Sequence, residues 1–185
     1  MSPKTTAQAG SRASSDERRE QVIQAAVHEF AEHGFRATST SAIAKRAGIS
    51  QPYIYALFPN KHELFLATHA YVVGHIRDAF TEAARGLDEA EERLHAMGKA
   101  YMTLLQERDE ILVQMQSHAA AADPALREVV RREFVRLIEH VERVSGVPRI
   151  KALDFVACGM LLNVVAALDL PDEYLPIQVD EVLAS

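Results

Sequence analysis

The 185-residue chain has no tryptophan, a single cysteine, and only 8 glycines and 7 prolines. One thiol, Cys158, excludes an intrachain disulfide and fits a reducing, cytoplasmic compartment. Scarce glycine and proline, with Ala, Leu, Glu and Arg plentiful, predict an all-α chain. The first fifteen residues contain no apolar core, so they do not read as a signal peptide. Small and polar, they are expected to form a disordered arm over 1–15. The most apolar uncharged run, FVACGMLLNVVAAL at 155–168, is shorter than the roughly 20 residues a bilayer span requires. No membrane segment is expected.

Chemical motifs are also missing. There is no glycine-rich phosphate loop and no Gly–x–Ser–x–Gly elbow. His62-Glu63 begins a zinc-protease pattern, but its second histidine would fall on Leu66. No catalytic residue, metal site or cofactor is expected, and a helical-bundle enzyme is the weaker alternative. What is present is a hydrophobic fraction of 48% and a net charge of −6. The charge is uneven. Residues 1–69 hold 8 Lys and Arg against 6 Asp and Glu, whereas residues 70–185 hold 12 against 20. The N-terminal part is therefore the better partner for a polyanion.

That part carries the most informative stretch, TSTSAIAKRAGISQPYIYALFPNKHEL at 38–64. Ile43, Ala44 and Ala47 share one helix face. Gly48 can end that helix in a left-handed conformation. Ser50 can cap the next helix, and Pro52 fits its first turn. The pattern is a helix-turn-helix, with helices over about 40–46 and 51–57. A preceding helix is expected over about 16–33, with Val22, Ile23, Ala26, Val27 and Phe30 buried and Gly34 as its stop. Asn60 can cap a long fourth helix over about 61–85.

The segment over about 18–66 resembles the DNA-binding domain of the TetR family of one-component transcriptional regulators. The resemblance is carried by Phe30, Gly34 and Phe35, then Thr38, Ile43-Ala44, Ala47-Gly48-Ile49-Ser50, Tyr55 with Phe58, and Lys61 with Glu63-Leu64. It implies a three-helix DNA-binding domain over 16–60. The fourth helix would join it to a helical ligand-binding and dimerisation domain over 61–185. It also implies a homodimer on a pseudo-palindromic double-stranded operator, and repression released by a small effector. An architectural DNA-binding protein without a ligand is the alternative.

A recognition helix places its N-terminal side chains in the major groove. Gln51 can pair with adenine, and Pro52 and Tyr53 can meet thymine methyls. Ser41 is positioned to reach a base. Thr38, Thr40, Tyr55 and Lys61 are expected at phosphates, with Ser50 as a cap and second contact. Lys45 and Arg46 add charge, or form a solvated face. Lys4 and Arg12 could extend to a minor groove.

The remaining chain shows helical patterns over about 88–107 and 109–121. Asp123-Pro124 then opens a helix ended by Gly146, and Pro148 opens another. The uncharged 155–168 stretch needs burial on all sides. Dimerisation through helices of about 124–145 and 148–168 satisfies that need. A hydrophobic effector is expected between the fourth helix and the 88–121 helices. Tyr71, His75, Met97, Tyr101, Met115, His118 and Asn163 are its candidate lining. The polar members could equally pair with other side chains.

Overall fold

The computed structural model describes residues 6–171 and Tyr174. Among them there is no strand. The elements are α1 (Thr6–Ala37), α2 (Thr40–Arg46), α3 (Gln51–Leu57), α4 (Lys61–Ala83), α5 (Ala90–Leu104), α6 (Arg108–Ala119), a 3-10 turn (Ala120–Ala122), α7 (Pro124–Ser145) and α8 (Arg149–Ala167).

Capping sets most of these boundaries. The Ser39 hydroxyl accepts from Ala42 N at 3.1 Å, and Asn60 Oδ1 accepts from Glu63 N at 2.9 Å. Asp123 Oδ1 accepts from Ala125 N at 2.9 Å, with Pro124 at the first position of α7. Each cap satisfies an N–H that has no partner inside its own helix. Ser50 departs from expectation: its side chain makes no capping bond, and Pro52 in the first turn removes one N–H that would need one.

α1 begins at Thr6, ten residues before Asp16. Ala7, Gln8, Ala9, Arg12 and Ala13 are good helix formers, and adding turns to an existing helix is far cheaper than nucleating one. Lys4 lies outside the described residues, as does the C-terminal tail apart from Pro171 and Tyr174.

Packing joins the two halves. α4 touches α1, α5, α6 and α7, and α1 lies along α6. Phe65 on α4 stacks edge-on against Phe30 at 4.9 Å and tilts against Phe35 at 5.0 Å. One polar pair crosses the same junction, His28 of α1 with Asp109 of α6 at 2.7 Å; within the body, His62 meets Asp123 at 3.1 Å and His75 meets Glu110 at 3.0 Å.

α8 runs 19 residues, long and apolar enough to cross a membrane by length and composition. The uncharged stretch alone understated its length. However, its Ala152, Val156, Leu162, Asn163 and Val165 face is buried in the bundle, where α8 packs on α6 and α7. Arg149, Lys151 and Asp154 occupy its first two turns. One chain therefore buries only half of this helix.

Gly34 breaks α1 at φ 70°, ψ 174°. A side chain there is strained, and its Cβ would stand 2.8 Å from Gln116 Oε1 on α6. Gly34→Ala is expected to lower stability by about 1–3 kcal/mol, read from the urea midpoint at unchanged slope.

Candidate nucleic-acid interface and internal cavity

The helix-turn-helix is held from behind by α1. Arg19 donates to Leu57 O at 2.7 Å and lies over the Phe58 ring at 4.1 Å. Gln21 donates to Ala47 O at 3.0 Å. Both close helix ends whose carbonyls have no partner within their own helix. Sequence reasoning missed them, because polar residues beside a core stripe look like ordinary solvated surface.

Thr38 changes role. It is buried, and its hydroxyl lies 2.8 Å from Glu29 O and 2.7 Å from Gly34 O. That hydroxyl closes the broken end of α1, so its one proton is spent inside the protein. Lys61 is partly committed in the same way, donating to Arg36 O at 3.1 Å and Thr38 O at 3.0 Å. Its ammonium has three N–H groups, so one remains for an anion.

The outward face gathers the other expected contacts. Gln51 Nε2 donates to Thr40 Oγ1 at 2.8 Å, and Thr40 Oγ1 lies 3.0 Å from the Tyr55 hydroxyl. This trio fastens the start of α3 to the start of α2. Thr40 is buried, whereas Tyr55 is 47% exposed, leaving its phenol open to a further partner. Ser41, Pro52 and Tyr53 are exposed, and Ser41 Oγ meets Ser39 Oγ at 2.9 Å. Lys45 is exposed, but Arg46 is paired with the buried Glu29 at 2.7 Å. The face therefore offers amide, phenol and ammonium donors on one side of a short helix.

A second site lies in the helical body. A cavity of about 40 Å³ is enclosed by α4, α5, α6, α7 and α8. Tyr101, His118 and Asn163 line it, as expected from sequence. Tyr71, His75, Met97 and Met115 do not. The α4 stripe facing the cavity is His69, Val73, Ile76 and Phe80, which leaves Tyr71 and His75 on other faces. His75 is turned out to Glu110, and Met97 is sealed in the core. His69 was the missed residue; its four-residue spacing from Val73 was the available signal.

The cavity wall is apolar with a polar end. The Tyr101 hydroxyl donates to Asn163 Oδ1 at 2.6 Å, and burial raises its pKa. His118 sets its ring edge-on to Phe134, and burial lowers its pKa. His69 is only 3% exposed, and neither ring nitrogen has a hydrogen-bond partner. Burial, reinforced by His118, lowers its pKa to about 4, against a weaker opposing pull from Glu133. Its imidazole is neutral at ordinary pH. Between α5 and α8 a wider open groove contains Cys158, whose thiol is pushed up by burial and stays protonated. Among the described residues no group of three or more His, Cys, Asp or Glu could hold a metal.

A histidine kept neutral in the fold titrates more readily when unfolded. The unfolded chain binds the extra proton below about pH 6.5, so stability falls as the pH drops from 6.5 toward 4. The contribution is of order 3 kcal/mol at the acid end, from about 1.36 kcal/mol per pKa unit. His69→Leu should flatten the melting-temperature profile over that window, measured by calorimetry against wild type.

A family model described as bacterial regulatory proteins, tetR family, matches residues 22–68. The chain is 34% identical over 97 residues to the transcriptional activator FasR of Mycolicibacterium smegmatis, covering 52% of this chain and 44% of that protein. It is 26% identical over 110 residues to the fatty acid metabolism regulator protein of Bacillus subtilis, covering 60% and 57%. The chain thus spans about half the length of these curated relatives. Its fold matches the transcriptional regulator FadR from Bacillus subtilis, solved in complex with stearoyl-CoA. The TM-score is 0.74 at 20% identity, covering 89% of this chain and 95% of that one. The matched segment contains the buried stripe of α1 from Val22 onward, the helix-turn-helix and the first part of α4, and the remaining helices follow the same fold. The DNA-binding segment of the chain, residues 22–68, is that of the tetR family of bacterial regulatory proteins.

Proposed function

We propose that the chain is a cytoplasmic transcriptional regulator that binds a pseudo-palindromic operator as a homodimer. A small apolar effector entering the cavity releases it. The observation that carries this reading is the double use of α6. Gln114 and His118 line the cavity, while Gln116 packs at Gly34 and Asp109 pairs with His28. A ligand that swells the cavity must push α4 or α6, and both are tied to the DNA-binding head. The effector needs only to bind one arrangement of the heads better than the other. A coupling of about 1–3 kcal/mol changes operator affinity roughly 5- to 150-fold.

At about 40 Å³ the cavity has room for only a few waters, at roughly 10–15 Å³ each, so an effector must open it. An acyl chain is the first class to test, given the fatty-acid regulator among the relatives and the stearoyl-CoA complex among the fold neighbours. The activator among the relatives makes the sign of regulation a matter for a promoter-reporter assay.

Two heads on one duplex would sit about one helical turn apart, roughly 34 Å. Gln51→Ala should relax preference at one base pair by about 1–3 kcal/mol in a mobility-shift series. Lys61→Ala should weaken all sequences alike and flatten the salt dependence. Equal loss on every sequence for Gln51→Ala would remove that residue as a base reader.

The dimer seam is assigned to α7 and α8. Ile150, Leu153, Leu161, Val164 and Leu168 are exposed large hydrophobics at helical spacing on α8, and Val135 is one on α7. Leu161 is 48% exposed and Val164 36%, so Leu161→Arg or Val164→Glu leaves the protomer's own core intact. An unpaired charge buried in an interface costs several kcal/mol. Sedimentation should show folded monomers for these variants, and a dimer as tight as wild type would place the interface elsewhere.

A further inference from the structure

We infer that the cavity takes an apolar molecule bearing one neutral hydrogen-bonding group, a hydroxyl or a carbonyl, seated against the His69 imidazole. The inference rests on the cavity being the effector site and names the chemistry that site selects.

The first observation is the unpaired imidazole. His69 is buried, lines the cavity, and has neither Nδ1 nor Nε2 in a hydrogen bond. A buried polar group without a partner is costly, and few persist in folded chains without a role. The neighbouring polar groups do not relieve it. The Tyr101 hydroxyl is committed to Asn163 at 2.6 Å, and Ser117, buried on the adjacent helix, donates to Val113 O at 2.7 Å. A neutral imidazole keeps one N–H donor and one lone-pair acceptor. It can therefore serve a hydroxyl in either sense, or donate to a carbonyl.

The second observation is the charge balance. No Lys or Arg lines the cavity. The nearby cations on α4 and α7 are already taken: Arg136 meets the buried Glu133 at 2.7 Å and Arg77 meets it at 3.6 Å. Burial and His118 both oppose a charge on His69. A carboxylate or phosphate placed here would lose its water and gain no counter-ion. Val73, Ile76, Phe80, Leu137 and Phe155 form the rest of the wall and suit an apolar skeleton.

The test uses the full chain and three probes with the same eight-carbon chain: 1-octanol, methyl octanoate and octanoate. Titration calorimetry at pH 7.5 should give at least about tenfold tighter binding for the two neutral probes, as expected for one satisfied buried partner. The His69 ring nitrogens should shift in ¹⁵N spectra on saturation. His69→Leu should weaken the neutral probes at least about fivefold without lowering the melting temperature. His69→Gln, which keeps a donor and an acceptor, should stay within about threefold of wild type. A merely apolar cavity would move neither the ring resonances nor the Leu–Gln contrast. Unmoved resonances, or unweakened binding by His69→Leu, overturn the inference and leave the cavity reading standing. If none of the three probes binds, both readings fall.

Discussion

The broken end of α1 is the constraint on which the rest of the molecule depends. Gly34 takes a backbone conformation open only to glycine, and the chain turns there without leaving the core. Side chains converge on four carbonyls around the turn, those of Glu29, Gly34, Arg36 and Thr38. Thr38 supplies its hydroxyl and Lys61 its ammonium. Phe35 then fits between Phe65 and His62, and Lys61 lies 4.9 Å from its ring. One knot of side chains thereby fixes the start of α2, the start of α4 and the contact with α6. A reader built elsewhere on this scaffold would have no fixed relation to the body.

The same knot explains how much of the site was legible in the sequence. Helix starts and stops at Asn60, Asp123-Pro124 and Gly146 were readable because capping uses few residue types at fixed offsets. Gly34 and Gly48 were readable for the same reason. Thr38 was rightly singled out, yet its spacing could not say whether the hydroxyl turns to DNA or to a carbonyl. Only the bend at Gly34 decides that. The Ser50 cap failed because a proline in the first turn already reduced the need for it.

The cavity shows the opposite limit. Aromatic, methionine and histidine residues occur on every helix of the body, and several faces of α4 carry them. Sequence placed Tyr71 and His75 at the pocket, whereas the helix turns His69 and Val73 inward instead. The two choices lie two residues apart, a rotation of about 200°, and a helix with apolar residues on several faces carries weak information about rotation. The start of α1 was lost for a different reason: composition cannot distinguish a free arm from a helix extended in phase with a folded one.

Coupling between the two halves is consistent with these magnitudes. The head meets the body through one aromatic cluster around Phe65 and through the His28–Asp109 pair between α1 and α6, whose side chains are both half-exposed. A pair of that kind contributes on the order of 0–1 kcal/mol. Breaking it, together with a shift of Gln116 at Gly34, falls within the roughly 1–3 kcal/mol typical of an allosteric coupling. A junction built only from buried apolar contact would be stiffer. Opening a cavity deep in the body would then have to distort the whole core before the heads could move. The junction instead combines one rigid hinge with a weak polar tie, so a small swelling between α4 and α6 can be taken up as a change in head position.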